Sequence, residues 1–305
     1  MFDKLFPERF ARDQLGIYID RDLALDQKIT DFYDIAPFPN YEESESIASL
    51  LRKGDQNDFM SQISRLLKPG DKFLEAGCGT GQVTNYLAAS SYADVYGTDL
   101  TYASLKLGAE YRNINSLKNA HFIRHNILQS PLPKDYFDYV WCSGVLHHTP
   151  DPYGGYVRLL DSLKPGGLIF IGLYNRYTRF RTVLRQKLYS TGSIGRLLVR
   201  NLDPVLRKNR LNVEKFNSWE RDQYIHPRES LHTLAEVKQW FYSNDVEYVS
   251  SVPRLDFNQL EQPHFLQIEK ERSSLFGVAA QMALLLESVG SEGGLIVNVG
   301  RKKGN

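Results

Sequence analysis

Phe73-Leu74-Glu75-Ala76-Gly77-Cys78-Gly79-Thr80-Gly81 decides the fold of this 305-residue chain. Its apolar start reads as a strand. Its glycines read as a tight turn, and Gln82–Ala89 continues as a helical pattern. A strand, a glycine turn and a helix N-terminus make a ready site for a nucleoside ligand. A dinucleotide fingerprint, G-x-G-x-x-G, would need its third glycine where Gln82 stands. Glu75, two residues before the first glycine, would repel a pyrophosphate but suits a ligand carrying an ammonium and a sulfonium. The loop therefore favours a cationic nucleoside over NAD.

Working outward, Asp99 ends the next apolar run, Val95-Tyr96-Gly97-Thr98, 18 residues after Gly81. An acid there can accept both ribose hydroxyls. Candidate strands fall at Lys72–Ala76, Asp94–Thr98, Ala120–His125, Tyr136–Cys142, Gly167–Leu173, Val246–Val252 and Gly294–Val299, with helical patterns such as Tyr102–Asn115 between them. The alternation implies βαβ units and a seven-stranded, mostly parallel α/β sheet of Rossmann-like form. Lys164-Pro165-Gly166-Gly167 is expected as a turn into the fifth strand. Thr233 and Glu236 are expected as a capping box for a helix at Leu234–Tyr242, and Glu261–Val289 as largely helical.

Hydrophobic residues make up 42% and charged residues 24%, so the chain can bury a core. Two cysteines exclude a disulfide framework. No apolar run approaches the ~18 residues that span a bilayer, and the N-terminus lacks a signal-peptide pattern. A cytoplasmic location is expected. No His/Cys/Asp cluster has metal-ligand spacing, so no metal is expected.

These elements together resemble the class I S-adenosylmethionine (SAM) dependent methyltransferases, in the small-molecule, type 11-like branch that includes quinone-biosynthesis enzymes. The likeness covers about residues 70–175 and continues weakly to Val252. It implies that Glu75, Gly77, Gly79 and Gly81 hold the methionine part of SAM, that Asp99 holds the ribose, and that Leu100 lies beside the adenine. Asn126, followed by Ile127, stands where the family usually has Asp; its carbonyl oxygen can still meet the adenine amino group. The fourth motif runs from Phe137-Asp138-Tyr139-Val140 through Ser143 to Leu146-His147-His148-Thr149-Pro150-Asp151-Pro152, and Leu163–Leu168 matches the fifth. His147 and His148 shape the loop under the cofactor in this branch. Cys78 reads as a small filler and Asp138 as a fold residue.

Two segments fall outside the alternating pattern. Residues 1–45 carry five basic residues against eleven acids, a net of −6; residues 176–210 carry ten basic residues against Asp203 alone, a net of +9. The expected division is a cap with lid helices at 1–70 and a methyltransferase core at 71–305, with a basic helical insertion at about 174–230. The aromatic stretch Asp31–Tyr41 is a candidate lid, with Tyr33 or Tyr41 facing the sulfonium by cation–π attraction. In the insertion, Tyr177, Phe180, Leu184 and Leu188 make one apolar helical face, and Arg176 and Arg179 lie on others. Such a helix suits an anionic or lipid-like acceptor, a membrane surface, a protein partner or RNA.

The dense polar run Trp219–His232 supplies Tyr224 as a substrate contact and His226 as the candidate base, with Tyr174 in reserve. The expected reaction is in-line methyl transfer from SAM to an acceptor oxygen, nitrogen or carbon, leaving S-adenosylhomocysteine. RNA is disfavoured as acceptor because the chain outside the insertion carries −8 (+1 minus +9). An RNA methyltransferase and a non-catalytic SAM-binding protein stay open as alternatives.

Overall fold

The computed structural model describes residues 9–35, 45–129, 132–255, 264–270, 273–285 and 294–304. One nine-stranded sheet organises them, in the order β1-β2-β5-β4-β3-β6-β7-β9-β8. The strands are β1 (Phe10–Arg12), β2 (Tyr18–Asp20), β3 (Lys72–Ala76), β4 (Asp94–Asp99), β5 (Ala120–Arg124), β6 (Phe137–Ser143), β7 (Leu163–Tyr174), β8 (Val246–Val252) and β9 (Leu295–Lys302). The run from β2 through β7 is parallel, while β1, β8 and β9 pair antiparallel.

Seven of these strands lie where the apolar runs predict them. The two additions, β1 and β2, form a three-residue hairpin ladder that extends the sheet at β5. The N-terminal segment is therefore partly sheet. After the hairpin come α1 (Gln27–Ile35), α2 (Ile47–Gln56) and α3 (Asp58–Leu66). Within the core lie α4 (Gln82–Ser90), α5 (Tyr102–Ile114) and α6 (Pro152–Ser162). The insertion holds α7 (Phe180–Tyr189), α8 (Ser193–Leu202), α9 (Pro204–Lys208) and α10 (Val213–Glu220), ending in a π-helical turn at Arg221–Ile225. The last helices are α11 (Leu234–Tyr242) and α12 (Ser274–Ala283), the latter inside the stretch expected to be helical.

Alternation along the strands builds two cores. On β3, Leu74 packs on one face with Val140, Ile169, Tyr156 and Phe241, while Phe73 packs on the other with Val95, Leu87 and Phe170. Helices thus cover both faces, which explains why the parallel strands are near-continuous apolar runs. The Lys164–Gly167 segment is not a turn before the strand but an irregularity inside β7, where the pairing with β6 shifts between Phe137 and Tyr139. Asp138 pins it, accepting from Lys164 Nζ at 2.6 Å and from the Lys72 amide at 2.9 Å. At α11, Thr233 caps the Glu236 amide at 3.2 Å, but the Glu236 carboxylate pairs with His232 Nδ1 at 2.9 Å.

Strand order reverses between β3 and β6. Ligands bind in open α/β sheets outside the carboxyl ends of the strands at such a switch point. The glycine loop leaves β3 there, and Ser143-Gly144 leaves β6.

Candidate active site

The glycine loop is shaped by close approach. Gly77 sits at φ +73°, and a Cβ there would lie 2.2 Å from Val145 Cγ2. Gly81, at φ +74°, begins α4, and a Cβ would lie 2.4 Å from the Phe122 ring. Only glycine meets both demands. The Gly77 and Cys78 amides donate to the Thr98 carbonyl, tying the loop to the end of β4. Asp99 Oδ2 accepts from the Gly79 amide at 2.9 Å and Oδ1 from the Thr101 amide at 2.8 Å. Each oxygen keeps a second lone pair for a ligand hydroxyl.

Glu75 is buried. Its Oε2 accepts from the Thr84 amide at 2.8 Å and from the Thr84 hydroxyl at 2.5 Å. Burial pushes its carboxyl up to about 8, against the lowering pull of the Thr84 bonds. Burial also raises Asp99. These two carboxyls face a cavity of about 960 Å³, near the top of the ~300–1,000 Å³ range of small-molecule sites.

Glu75, Gly77, Gly79, Asp99, Leu100, Asn126, Ile127 and Ser143 line one part of the cavity. Gly81 does not line it; its role is the helix start against Phe122. Asn126 is partly engaged by the fold, with Nδ2 donating to the Ala24 carbonyl at 2.8 Å and Oδ1 accepting from the Leu128 amide at 2.9 Å. Gly77 and Gly79 put bare backbone at the cavity beside the Glu75 carboxyl, so the residues present fit a cationic nucleoside.

Tyr33, Tyr174, Trp219, Asp222, Gln223 and Arg228 also line the cavity. Tyr41 lies outside the described residues. Tyr33 is buried deeply enough for its hydroxyl to resist ionisation, with Asp222 adding to the effect. Gln223 Nε2 bridges the Tyr174 hydroxyl at 3.0 Å and Asp222 Oδ2 at 2.6 Å. Burial raises both Tyr174 and Asp222.

Three expected contacts with the acceptor fall elsewhere. Arg176 is exposed, and it reaches the Leu231 carbonyl at 3.5 Å. Arg179 is fully buried behind the cavity wall, where its guanidinium forks onto Glu229 at 2.8 and 2.5 Å and lies 3.4 Å above the Tyr174 ring. A carboxylate close by has taken the charge that was expected for an anionic acceptor. The Tyr224 hydroxyl donates to Asp203, the residue that also caps α9.

His226 does not line the cavity either. Its ring packs on His148, 3.7 Å between centroids, and against Phe32 and Tyr33. His148 takes the lining position. Its Nδ1 donates to the Arg228 carbonyl at 2.7 Å, which leaves Nε2 as the lone-pair nitrogen of a neutral ring. Burial holds both His148 and His226 down to about 4 and lowers His147 well below the usual histidine range, so the three rings are uncharged near neutral pH.

Asp222, Gln223 and Trp219 are not among the site residues expected from the sequence, although their segment Trp219–His232 is. Asp222 and Gln223 sit in the π-helical turn, and such turns recur at functional sites, while Trp219 lies in the last turn of α10. Leu25, Asp26 and Lys28 also line the cavity from the N-terminal segment. Among the described residues no group of three His, Cys, Asp or Glu side chains could hold a metal ion.

Residues 74–171 match the family model described as a methyltransferase domain. A protein of Synechococcus sp. is 28% identical over 202 residues, covering 58% of this chain and 48% of that protein. The demethylmenaquinone methyltransferase of Lysinibacillus sphaericus is 31% identical over 137 residues, covering 43% of this chain and 55% of its own. The chain thus spans about half the length of these curated relatives. The crystal structure of the (4+2) cyclase SpnF superposes with a TM-score of 0.50 at 14% identity, covering 92% of this chain and 96% of that one. That likeness concerns the fold alone, and one fold hosts several chemistries. The matched residues contain the glycine loop, Asp99 and the switch-point crevice, and this part of the chain is a SAM-dependent methyltransferase domain of the class I kind.

Proposed function

We propose that this chain binds SAM and transfers its methyl group to a hydroxyl or amine of an apolar-bodied small molecule. The observation that carries the reading is one cavity holding two kinds of wall. Glu75, Asp99 and the glycine loop suit the donor; Tyr33, Tyr174, Trp219 and Asp222 suit an acceptor. Bound SAM supplies an already activated methyl on a sulfonium. The chain's own residues supply orientation, exclusion of water and a proton sink.

Glu75 pairs with the ammonium and Asp99 with the ribose hydroxyls. The acceptor's polar group donates to Asp222 or to the neutral His148 nitrogen, and its body rests on Trp219 and the tyrosine rings. Asp222 accepts the proton and His226 positions His148. An anionic acceptor fits less well. The cavity already carries Glu75, Asp99, Asp222 and Asp26 against Lys28 and Arg228, and Arg228 is paired with Asp26 at 3.0 Å.

Thermal melting of the purified chain with SAM, S-adenosylhomocysteine and NADH tests the donor half. A ligand at 100 times its dissociation constant stabilises by about 2.7 kcal/mol, a rise on the order of 5 °C here. A rise with NADH instead would overturn the reading. For the acceptor half, methyl-labelled SAM is incubated with the small-molecule fraction of a cell extract. Asp222→Asn should lower label transfer about a hundredfold while leaving the SAM melting shift in place. Equal transfer by the variant removes Asp222 as the base.

A further inference from the structure

The insertion helices carry an apolar face that none of the described residues covers. In α8, Gly195 and Val199 point inward, while Ile194, Leu197, Leu198 and Leu202 are 75, 62, 46 and 60% exposed. Phe180 and Leu184 of α7, two residues of the apolar face read in the sequence, are both more than half exposed. Leu211 and Val213 continue the apolar surface beyond α9. Isolated exposed leucines are ordinary, but eight large apolar side chains within residues 180–213 are not.

Cations are interleaved with them. Arg179, Arg185 and Arg200 are consumed by Glu229, Asp203 and Glu220. Arg181, Lys187, Arg196, Arg207, Lys208 and Arg210 remain exposed and pair with no carboxylate among the described residues. Lys and Arg beside protruding Ile, Leu and Phe are the two halves of an interfacial helix, in which apolar groups enter the acyl boundary and cations meet lipid phosphates. RNA would use the cations but leave the aliphatic side chains without a partner, since recognition of single strands relies on aromatic stacking.

We propose that α7, α8 and the segment through Val213 form a docking surface for an anionic lipid bilayer. The face buries Ile194, Leu197, Leu198 and Leu202 at the headgroup boundary while the six exposed cations neutralise the surface charge. The same insertion supplies Trp219, Asp222 and Gln223 to the cavity wall, so the docked face and the cavity belong to one continuous piece of chain. Docking is independent of methyl transfer and is measured without it.

The full chain is sedimented with vesicles of phosphatidylcholine alone and of phosphatidylcholine mixed with phosphatidylglycerol. Binding is expected to the anionic vesicles and to fall with added salt. The double variant Leu197→Asp, Leu198→Asp alters only exposed positions and should keep the parent melting temperature, yet lower partition at least about tenfold. Reversing Arg207 and Lys208 to Glu should lower it as well. Four results would each overturn the proposal. The first is no partition into anionic vesicles, and the second is partition unchanged by the Leu→Asp pair. The third is a concentration-dependent dimer that the Leu→Asp pair dissociates, which would assign the face to a second copy. Tighter binding of a single-stranded RNA oligomer than of vesicles, undiminished by the Leu→Asp pair, counts against lipid equally.

Discussion

Glu75 shows how one buried carboxyl can be costly to the fold and useful to the site. Its pKa is raised to about 8, above the ordinary ~4.3 of an unfolded glutamate. Between those values the unfolded chain has lost the proton that the folded one keeps. Stability without ligand is therefore fully present below the unfolded value and declines as pH rises toward 8. Glu75→Gln keeps an acceptor for Thr84 without the charge, and should raise the ligand-free melting temperature at pH 8 more than at pH 5. The gain is on the order of a few kcal/mol at most. Binding an ammonium beside Glu75 requires the carboxylate, so SAM should expel a proton at pH 7. Calorimetry in two buffers of different ionisation enthalpy checks this. Proton release that persists in Glu75→Gln would show that another group titrates. Asp99→Ala is the companion change. It should weaken SAM at least about 10–150-fold, the worth of one hydrogen bond to a charged acceptor. Unchanged affinity by the same calorimetry would sink the ribose role.

At the scale of elements, what was legible depended on whether a local pattern or a distant contact decides the position. β3 and β8 coincide with their apolar runs, and α11 with its cap, because burial on the two sheet faces and a threonine cap are written locally. β1 and β2 were not legible, since three residues in a strand leave no period to read; tertiary pairing with β5 makes them strands. The apolar residues of α7 were legible as a face, but the exposure of Phe180 and Leu184 was not, because distant contacts such as Arg179 on Glu229, 50 residues on, decide which side of the helix meets the fold. The same distance explains the base. His226 was chosen for its chemistry, while the π-helical turn puts Asp222 and Gln223 at the cavity and leaves His226 behind His148. The glycine loop was legible because its demand is steric and local. Gly81→Ala should confirm it by lowering the melting temperature by several degrees. A Cβ 2.4 Å from Phe122 at φ +74° combines overpacking with left-handed strain, together worth about 2–4 kcal/mol. An unchanged melting temperature would mean that Phe122 and the start of α4 yield freely.

At the scale of the whole molecule, the opposite charges of the two appendages invite the view that they hold each other electrostatically. The contacts qualify that view. Arg179, Arg185 and Arg200 of the insertion pair with Glu229, Asp203 and Glu220, and Asp26–Arg228 joins the acidic segment to the stretch after α10. The firmer junction is aromatic and backbone. Arg221 donates to the Phe32 carbonyl at 2.9 Å, its guanidinium lies 4.7 Å above the Phe32 ring, and Phe32 packs edge-on against His226. Asn126 adds a tie to Ala24 from the end of β5. These links place α1 and the π-helical turn on one cavity, so they should govern how long a ligand stays more than how stable the fold is. Arg221→Ala removes the cation–π contact and the backbone bond from a junction outside the sheet. It should speed SAM release about tenfold in stopped-flow displacement, while costing about 1 kcal/mol or less of global stability. Arg228→Ala, which breaks a partly exposed ion pair, should change release less, and raised salt should reproduce only that smaller effect. Equal release from Arg221→Ala and the parent chain would show that the two appendages meet over the cavity without closing it. A melting temperature that collapses along with faster release would instead make the junction part of the core.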